Sequence, residues 1–452
     1  MKTIIKLSVF TVAIFSFSIL SAQAWEEQAK GLFEGNYSLE AISVVDENIV
    51  WVLAYNVINF NSQNIVIEVL KTEDGGENWE SIKIEEISGS VGFDIEAFDS
   101  QSAFITTCSV ANSNQCTIFK TEDGGDTWEE KFNNTAAGRW IVFFNDTDGL
   151  ILNGRQNATT IDGGETWQLV NSNSIPPFMV GEDIPGFYTK NKSVEVIGDH
   201  VWFGTNMGRI YRSKDKGFSW EVFNTSLSID NSISSIAFRD SLNGIAVAAD
   251  SYDSPFSITN DGGETWNTLI SYPGLAIKHL EYVPGTERFL IGTSGNTGSS
   301  FNRVSAYSND FGVNWTVIDN VTPSGFYKFI PFGPIKFISP NVGWMIRSDL
   351  RFSSDTPVYK WQSDKPVSAV DIKNEYEVSV FPNPAVENIS LASSKDIKAY
   401  SLFTIEGKLI QHNQLDLTET EINVEQLDPG VFLLELLFID NTTYTQEVII
   451  VD

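Results

Sequence analysis

Residues 71–80 read KTEDGGENWE and residues 120–129 read KTEDGGDTWE. A short acidic, glycine-rich stretch of this kind suits a metal loop, a catalytic carboxylate or a tight turn. Its copy number decides among them. The pattern [Ser/Thr]-x-Asp-x-Gly-x-x-Trp occurs six times: TEDGGENW at 72–79, TEDGGDTW at 121–128, TIDGGETW at 160–167, SKDKGFSW at 213–220, TNDGGETW at 259–266 and SNDFGVNW at 308–315. At average residue usage one match has a chance on the order of 10⁻⁵ per position. Six copies at intervals of 49, 39, 53, 46 and 49 residues are therefore an internal repeat.

The fixed positions of this box are Asp74, Gly76 and Trp79; Asp123, Gly125 and Trp128; Asp162, Gly164 and Trp167; Asp215, Gly217 and Trp220; Asp261, Gly263 and Trp266; and Asp310, Gly312 and Trp315. Each has a structural task. The glycine suits a turn that needs positive φ. The carboxylate accepts hydrogen bonds from the turn's own amides, as in an Asx-turn, and the hydroxyl does the same. The tryptophan buries a ring at the start of the next strand. Catalysis needs one site, and six copies around a ring cannot each be it. Calcium is the weaker alternative, because each box offers one invariant carboxylate and a calcium loop needs several oxygens.

The flanks repeat too. A β-rich run such as IVIEVLK precedes a box, and further upstream lie two strand signals split by a polar turn, as in LEAISVVDENIVWVLAY and SIAFRDSLNGIAVAA. Trp51, Trp202 and Trp344 fall at matching places in the second of these. Four short antiparallel strands per 40–50 residues is the pattern of a β-propeller blade. A seventh strand pair at 335–347 leads to VYKWQSDK at 358–365 with no box. Trp25-Glu26-Glu27 matches Trp128-Glu129-Glu130, where the second box passes into its outer strand. The expectation is a seven-bladed propeller over 25–365 whose N-terminal strand closes blade seven beside Tyr359.

Met1, Lys2 and Lys6, the apolar run LSVFTVAIFSFSIL and Ala22-Gln23-Ala24 form a secretory signal over 1–24, with no later run apolar enough to span a bilayer. The chain carries 29 basic and 59 acidic residues, net −30. Such a surface repels phosphate backbones, so neither nucleic acid nor an anionic membrane is an expected partner. Cys108 and Cys116 flank a polar loop between two strand-like runs, and outside the cytoplasm a disulfide is favoured over free thiols. His200, His279 and His412 are isolated, so no zinc site is expected, and neither metal nor cofactor is called for.

The box resembles the Asp-box, or BNR, repeat of sialidases, sortilin-type receptors, xyloglucan-hydrolysing enzymes and photosystem II assembly-factor-like propellers. The DGG-x-x-W spelling on one propeller is most similar to the last group. The resemblance implies a turn on the face away from the active site. Sialidases usually carry Arg-Ile-Pro early in the propeller. This chain lacks it and has no arginine before Arg139. The xyloglucan enzymes pair two propellers around a cleft holding two catalytic Asp residues, and one propeller is expected here. Hydrolysis would need two carboxylates facing across a cleft, and none can be named from the sequence.

On the opposite face lie the irregular stretches 171–192, 292–303 and 320–333. Arg139, Trp140, Phe187, Tyr188, Phe326 and Tyr327 are the candidate ligand residues there, because aromatics among polar loops suit a sugar or a peptide. The competing expectation is that these aromatics begin inner strands and pack inside.

After a linker over 366–374 the pattern changes to YEVSVFPNPAVENISL, IKAYSLFTIEGKLIQ, EINVEQLDPGVFLLELL and TYTQEVIIVD, a small β-sandwich over 375–452. Phe381-Pro382-Asn383-Pro384, Gly407 and 427–432 resemble the type A C-terminal sorting domain of the type IX (Por) secretion system. The resemblance implies a Bacteroidetes-like source, that export machinery as partner, and release or attachment at the outer-membrane surface. The chain departs from that family in ending on Val451-Asp452 where a basic residue is usual. The function expected is a non-catalytic binding or scaffold module for extracellular glycan or protein, with a glycoside hydrolase as the alternative.

Overall fold

The computed structural model describes residues 25–29, 31–32, 37–56, 65–112, 115–134, 139–153, 156–185, 193–227, 232–248, 255–269, 277–293, 303–312, 315–321, 332–347, 358–362, 378–404, 409–438 and 443–451. These residues are essentially all β. The expected signal over 1–24, the expected linker over 366–374, Gly407 and the candidates Phe187, Tyr188, Phe326 and Tyr327 lie outside them.

Among the described residues, seven antiparallel sheets have four strands each. Sheet one runs Tyr37–Val44, Val50–Asn56, Val66–Thr72, Glu80–Ser88, from the innermost strand outward. Sheets two to six repeat this meander, starting at Ser90–Ala97, Trp140–Phe143, Val194–Ile197, Ile233–Phe238 and Ile277–Tyr282. Sheet seven is composed differently. Phe332–Ser339, Val342–Arg347 and Val358–Trp361 are joined on the outside by Trp25–Gln28. Trp25 lies opposite Trp361, and Glu27 opposite Tyr359. First and last strands of the ring thus share one sheet, which removes the open edge a linear array would leave.

Apolar side chains fill the seams between neighbouring sheets. One cluster joins Trp140, Leu150 and Leu152 of sheet three to Val201, Phe203 and Tyr211 of sheet four. Another joins Val50 and Val52 of sheet one to Trp344 and Ile346 of sheet seven, which closes the circle.

Each box lies between the third and fourth strands of its sheet. Its fourth-position amide donates to the turn joining the first two strands: Gly75 to Asn48, Gly124 to Gln101, Gly163 to Thr147, Lys216 to Asp199 and Gly262 to Leu242. Both turns therefore share one face of the ring. Cys108 and Cys116 are paired as a disulfide directly across the second and third strands of sheet two.

The C-terminal unit has a core of its own, with Ile389, Leu391, Leu402, Leu434, Leu436 and Val448 at its centre. The sandwich expectation needs one refinement. The strands form a single hydrogen-bonded network rather than two separate sheets. The 17-residue strand Asn388–Thr404 pairs first with Val378–Phe381 and then with Gly430–Phe438. Register shifts between Ala392 and Ile397 let it turn from one to the other.

Candidate ligand face

The box carboxylates are occupied. Asp74 Oδ1 accepts from Thr72 Oγ1 at 2.9 Å and from the Asn78 amide at 2.9 Å, while Oδ2 accepts from Asn78 Nδ2 at 2.8 Å. Asp123, Asp162, Asp215 and Asp261 repeat this set with Thr127, Thr166, Ser219 and Thr265. Asp310 accepts from Ser308 at 2.7 Å. Hydrogen bonds from Thr166 and Thr160 hold the Asp162 carboxyl down at about 2. Bonds from Asn78 and Thr127 lower Asp74 and Asp123, and at Asp215 and Asp261 the same bonds overcome a burial effect of opposite sign.

The glycine has a second reason that the sequence did not reveal. A Cβ on Gly76 would meet the Trp344 ring at 2.6 Å, one on Gly164 the Phe104 ring at 2.3 Å, and one on Gly217 the Leu150 side chain at 2.7 Å. Each of these partners lies near the start of the second strand in the preceding sheet. At these three positions the box is both a turn and the wedge that seats one sheet on the next. Cations reinforce the joint: Lys71 Nζ reaches Gly124 O at 3.2 Å, Arg212 reaches Gly262 O at 2.9 Å and Lys360 reaches Gly75 O at 2.6 Å.

The innermost strands line the central channel. Their inward edges would expose unpaired amides, and side chains of the preceding sheet accept from them. Ser43 Oγ accepts from Ala97 N (3.0 Å), Asp94 Oδ2 from Ile141 N (3.0 Å), Ser235 Oγ from Leu280 N (3.1 Å) and Glu281 Oε1 from Phe337 N (3.2 Å). Strand registers place Glu96, Glu195, Glu281 and Lys336 at one level of the channel. Lys336 Nζ lies 3.1 Å from Glu281. The Glu281 carboxylate holds the ammonium above its ordinary range, with Glu195 and Glu96 adding to the effect.

On the face away from the boxes, Arg139 lies half-buried with its guanidinium 5.6 Å from the Phe93 ring centre. Its carbonyl accepts from Thr106 Oγ1 at 2.7 Å. Burial pulls Arg139 below its ordinary value, and the Asp183 carboxylate opposes this. Asp183 belongs to the described part, 170–185, of the stretch between sheets three and four, and this part is anchored by hydrogen bonds to sheet four. The neighbouring Glu182 is fully buried and accepts from Arg209, from Thr205 Oγ1 at 2.7 Å and from the Met179 amide at 2.7 Å. Asp183 and Asn206 exchange two further bonds. Val180 stands at the tip of this stretch, 99% exposed.

Trp140, a candidate ligand residue from the sequence, has to be withdrawn. It opens the innermost strand of sheet three, is 4% exposed, and packs in the seam toward sheet four. Arg139 retains an accessible part. Asp183 and Phe93 were not singled out in the sequence, since no motif marks them and only the fold gathers them near Arg139.

Fold and C-terminal unit together define an exported propeller protein. Residues 379–451 match the secretion system C-terminal sorting domain family, which assigns the chain to type IX secretion and to release or attachment at the cell surface. No helix among the described residues is long and apolar enough to cross a membrane. YCF48 from Cyanidioschyzon merolae shares the propeller fold at TM-score 0.55 and 16% identity, covering 76% of this chain and 100% of that one. A structure of YCF48 bound to D1 peptide does so at TM-score 0.53 and 16% identity, covering 76% and 99%. The chain is also similar to ulvan lyase NLR42 of Nonlabens ulvanivorans, 23% identical over 188 residues. That similarity spans 41% of this chain and 34% of the lyase, so the chain covers about a third of the length of this curated relative.

Proposed function

We propose that the propeller, a ring of Asp-box repeats over 25–365, is a non-catalytic binding module that presents its box-free face to an extracellular glycan or protein. Residues 1–24 are its cleaved leader, 366–374 a linker, and 375–452 the unit read by the type IX machinery. The observation that carries this reading is how the carboxylates are used. Those of the boxes are engaged by turn amides, Asp94 and Glu281 by the amides of the next sheet, and Glu182 by Arg209. Among the described residues of the far face, Arg139 is braced by the Phe93 ring and feels the Asp183 carboxylate, a set that suits recognition of a polar or anionic group.

A glycan array probed with the full chain should show saturable binding, and Arg139→Ala should weaken it at least tenfold with the thermal midpoint held. Binding unaffected by that change would remove the face from consideration. The similarity to ulvan lyase favours a second reading, depolymerisation of ulvan or a related glycan. Release of new chain ends from ulvan by the purified protein would establish it.

A further inference from the structure

In sheets one to six the outermost strand is tied covalently to the third strand through a box. In sheet seven it is held by non-covalent contacts alone. Trp25–Gln28 pairs antiparallel with Val358–Trp361 over four residues. Trp25 is 2% exposed and meets Phe337 and Trp361 edge-on, with ring centres 5.9 and 5.1 Å away. Val283, Ile335 and Met345 complete the pocket. The indole Nε1 donates to Ser305 Oγ of sheet six at 3.1 Å, and Gln362 Nε2 donates to Glu26 Oε2 at 2.6 Å. On the other side, Gln28 lies against Gly76 of sheet one. One tetrapeptide therefore bridges three sheets.

We propose that sheet seven is a strand-acceptor site selective for an extended peptide that begins with tryptophan, filled in the folded chain by its own residues 25–28. The backbone edge of Val358–Trp361 supplies affinity, and the aromatic pocket with its Ser305 acceptor supplies the selectivity for indole. The strap holds through a ladder of four residues, and covalent attachment to the chain gives it a high effective concentration in place of a box. Release of this strap opens one side of sheet seven. It uncovers an edge that accepts the same sequence supplied in trans.

The test uses the full chain and a fluorescent hexapeptide of residues 25–30, WEEQAK. Trp25→Ala weakens the internal strap and leaves the acceptor side intact. Anisotropy titration should show the peptide binding this variant at least tenfold more tightly than wild type, whose site is filled. A peptide with alanine in place of tryptophan should bind neither. The double variant Glu26→Ala/Gln28→Ala loosens the strap while preserving the tryptophan in the core and every residue of the acceptor side. It serves if Trp25→Ala does not fold, and it should again bind WEEQAK at least tenfold more tightly than wild type. Equal affinity for wild type and variant, or no binding to a folded variant, would overturn the proposal.

Discussion

At the residue scale, the box demands left-handed backbone at two successive positions. Gly75 and Gly76 have φ of 70° and 92°, and the other boxes do likewise. The fourth position tolerates a side chain, since Lys216 and Phe311 adopt φ of 59° and 57° there. At Gly76, Gly164 and Gly217 the fifth does not, because the preceding sheet packs against it. Gly164→Ala combines about 1–2 kcal/mol of left-handed strain with a clash against Phe104, so its thermal midpoint should fall well below that of Gly163→Ala. Equal losses at the two positions would contradict the wedge.

The box carboxylates set an acid limit. Asp162 has an ordinary value of 3.8 and is held at about 2 in the fold. A depressed carboxylate contributes stability in full above its ordinary value and loses it as pH falls through the folded one. The thermal midpoint should therefore decline between about pH 4 and 2, and Asp162→Asn should flatten that decline. Trp79 gives a contrast. Trp128, Trp167, Trp220, Trp266 and Trp315 each donate Nε1 to the carbonyl of the box glycine, while Trp79 Nε1 finds no partner. Trp128→Phe should cost about 1 kcal/mol more than Trp79→Phe in denaturant unfolding.

At the scale of elements, the innermost strands are secured by side chains that the sequence does not advertise. Ser43, Asp94, Ser235 and Glu281 share a role and no motif, because the contact lies between sheets rather than along the chain. Ser235→Ala should cost about 1–3 kcal/mol, since it leaves the buried Leu280 amide without an acceptor. A denaturation midpoint unchanged from wild type would show that the amide has another outlet. The boxes, by contrast, were legible as turns because every contact of the aspartate falls within four residues of it. Trp140 misled for the opposite reason. Its sequence neighbours are polar loop residues, and only the direction of the strand it opens takes it into the seam. Phe187, Tyr188, Phe326 and Tyr327 keep the standing of candidates.

At the scale of the whole molecule, repetition was the most readable feature. The octapeptide announces the ring, and the copy missing from sheet seven directs attention to the other end of the chain, where Trp25 occupies the corresponding outer strand. The proposed ligand face was less legible. Its residues come from separate sheets and from irregular connections whose lengths differ from one repeat to the next. Net charge of −30 adds a global constraint, since any partner must meet the accessible chemistry of Arg139 through a negative field that salt screens. Binding of a basic partner should weaken as salt rises, and binding of an anionic glycan at Arg139 should be poorest at low salt, away from the screening that permits approach.

The claim that the propeller binds without transforming is tested most directly by incubating the full chain with ulvan and a panel of extracellular glycans, and following bound ligand and new chain ends in the same samples. The expected outcome is saturable binding that Arg139→Ala weakens at least tenfold and Asp162→Asn leaves intact, with no chain ends formed. Accumulation of chain ends with time would contradict it.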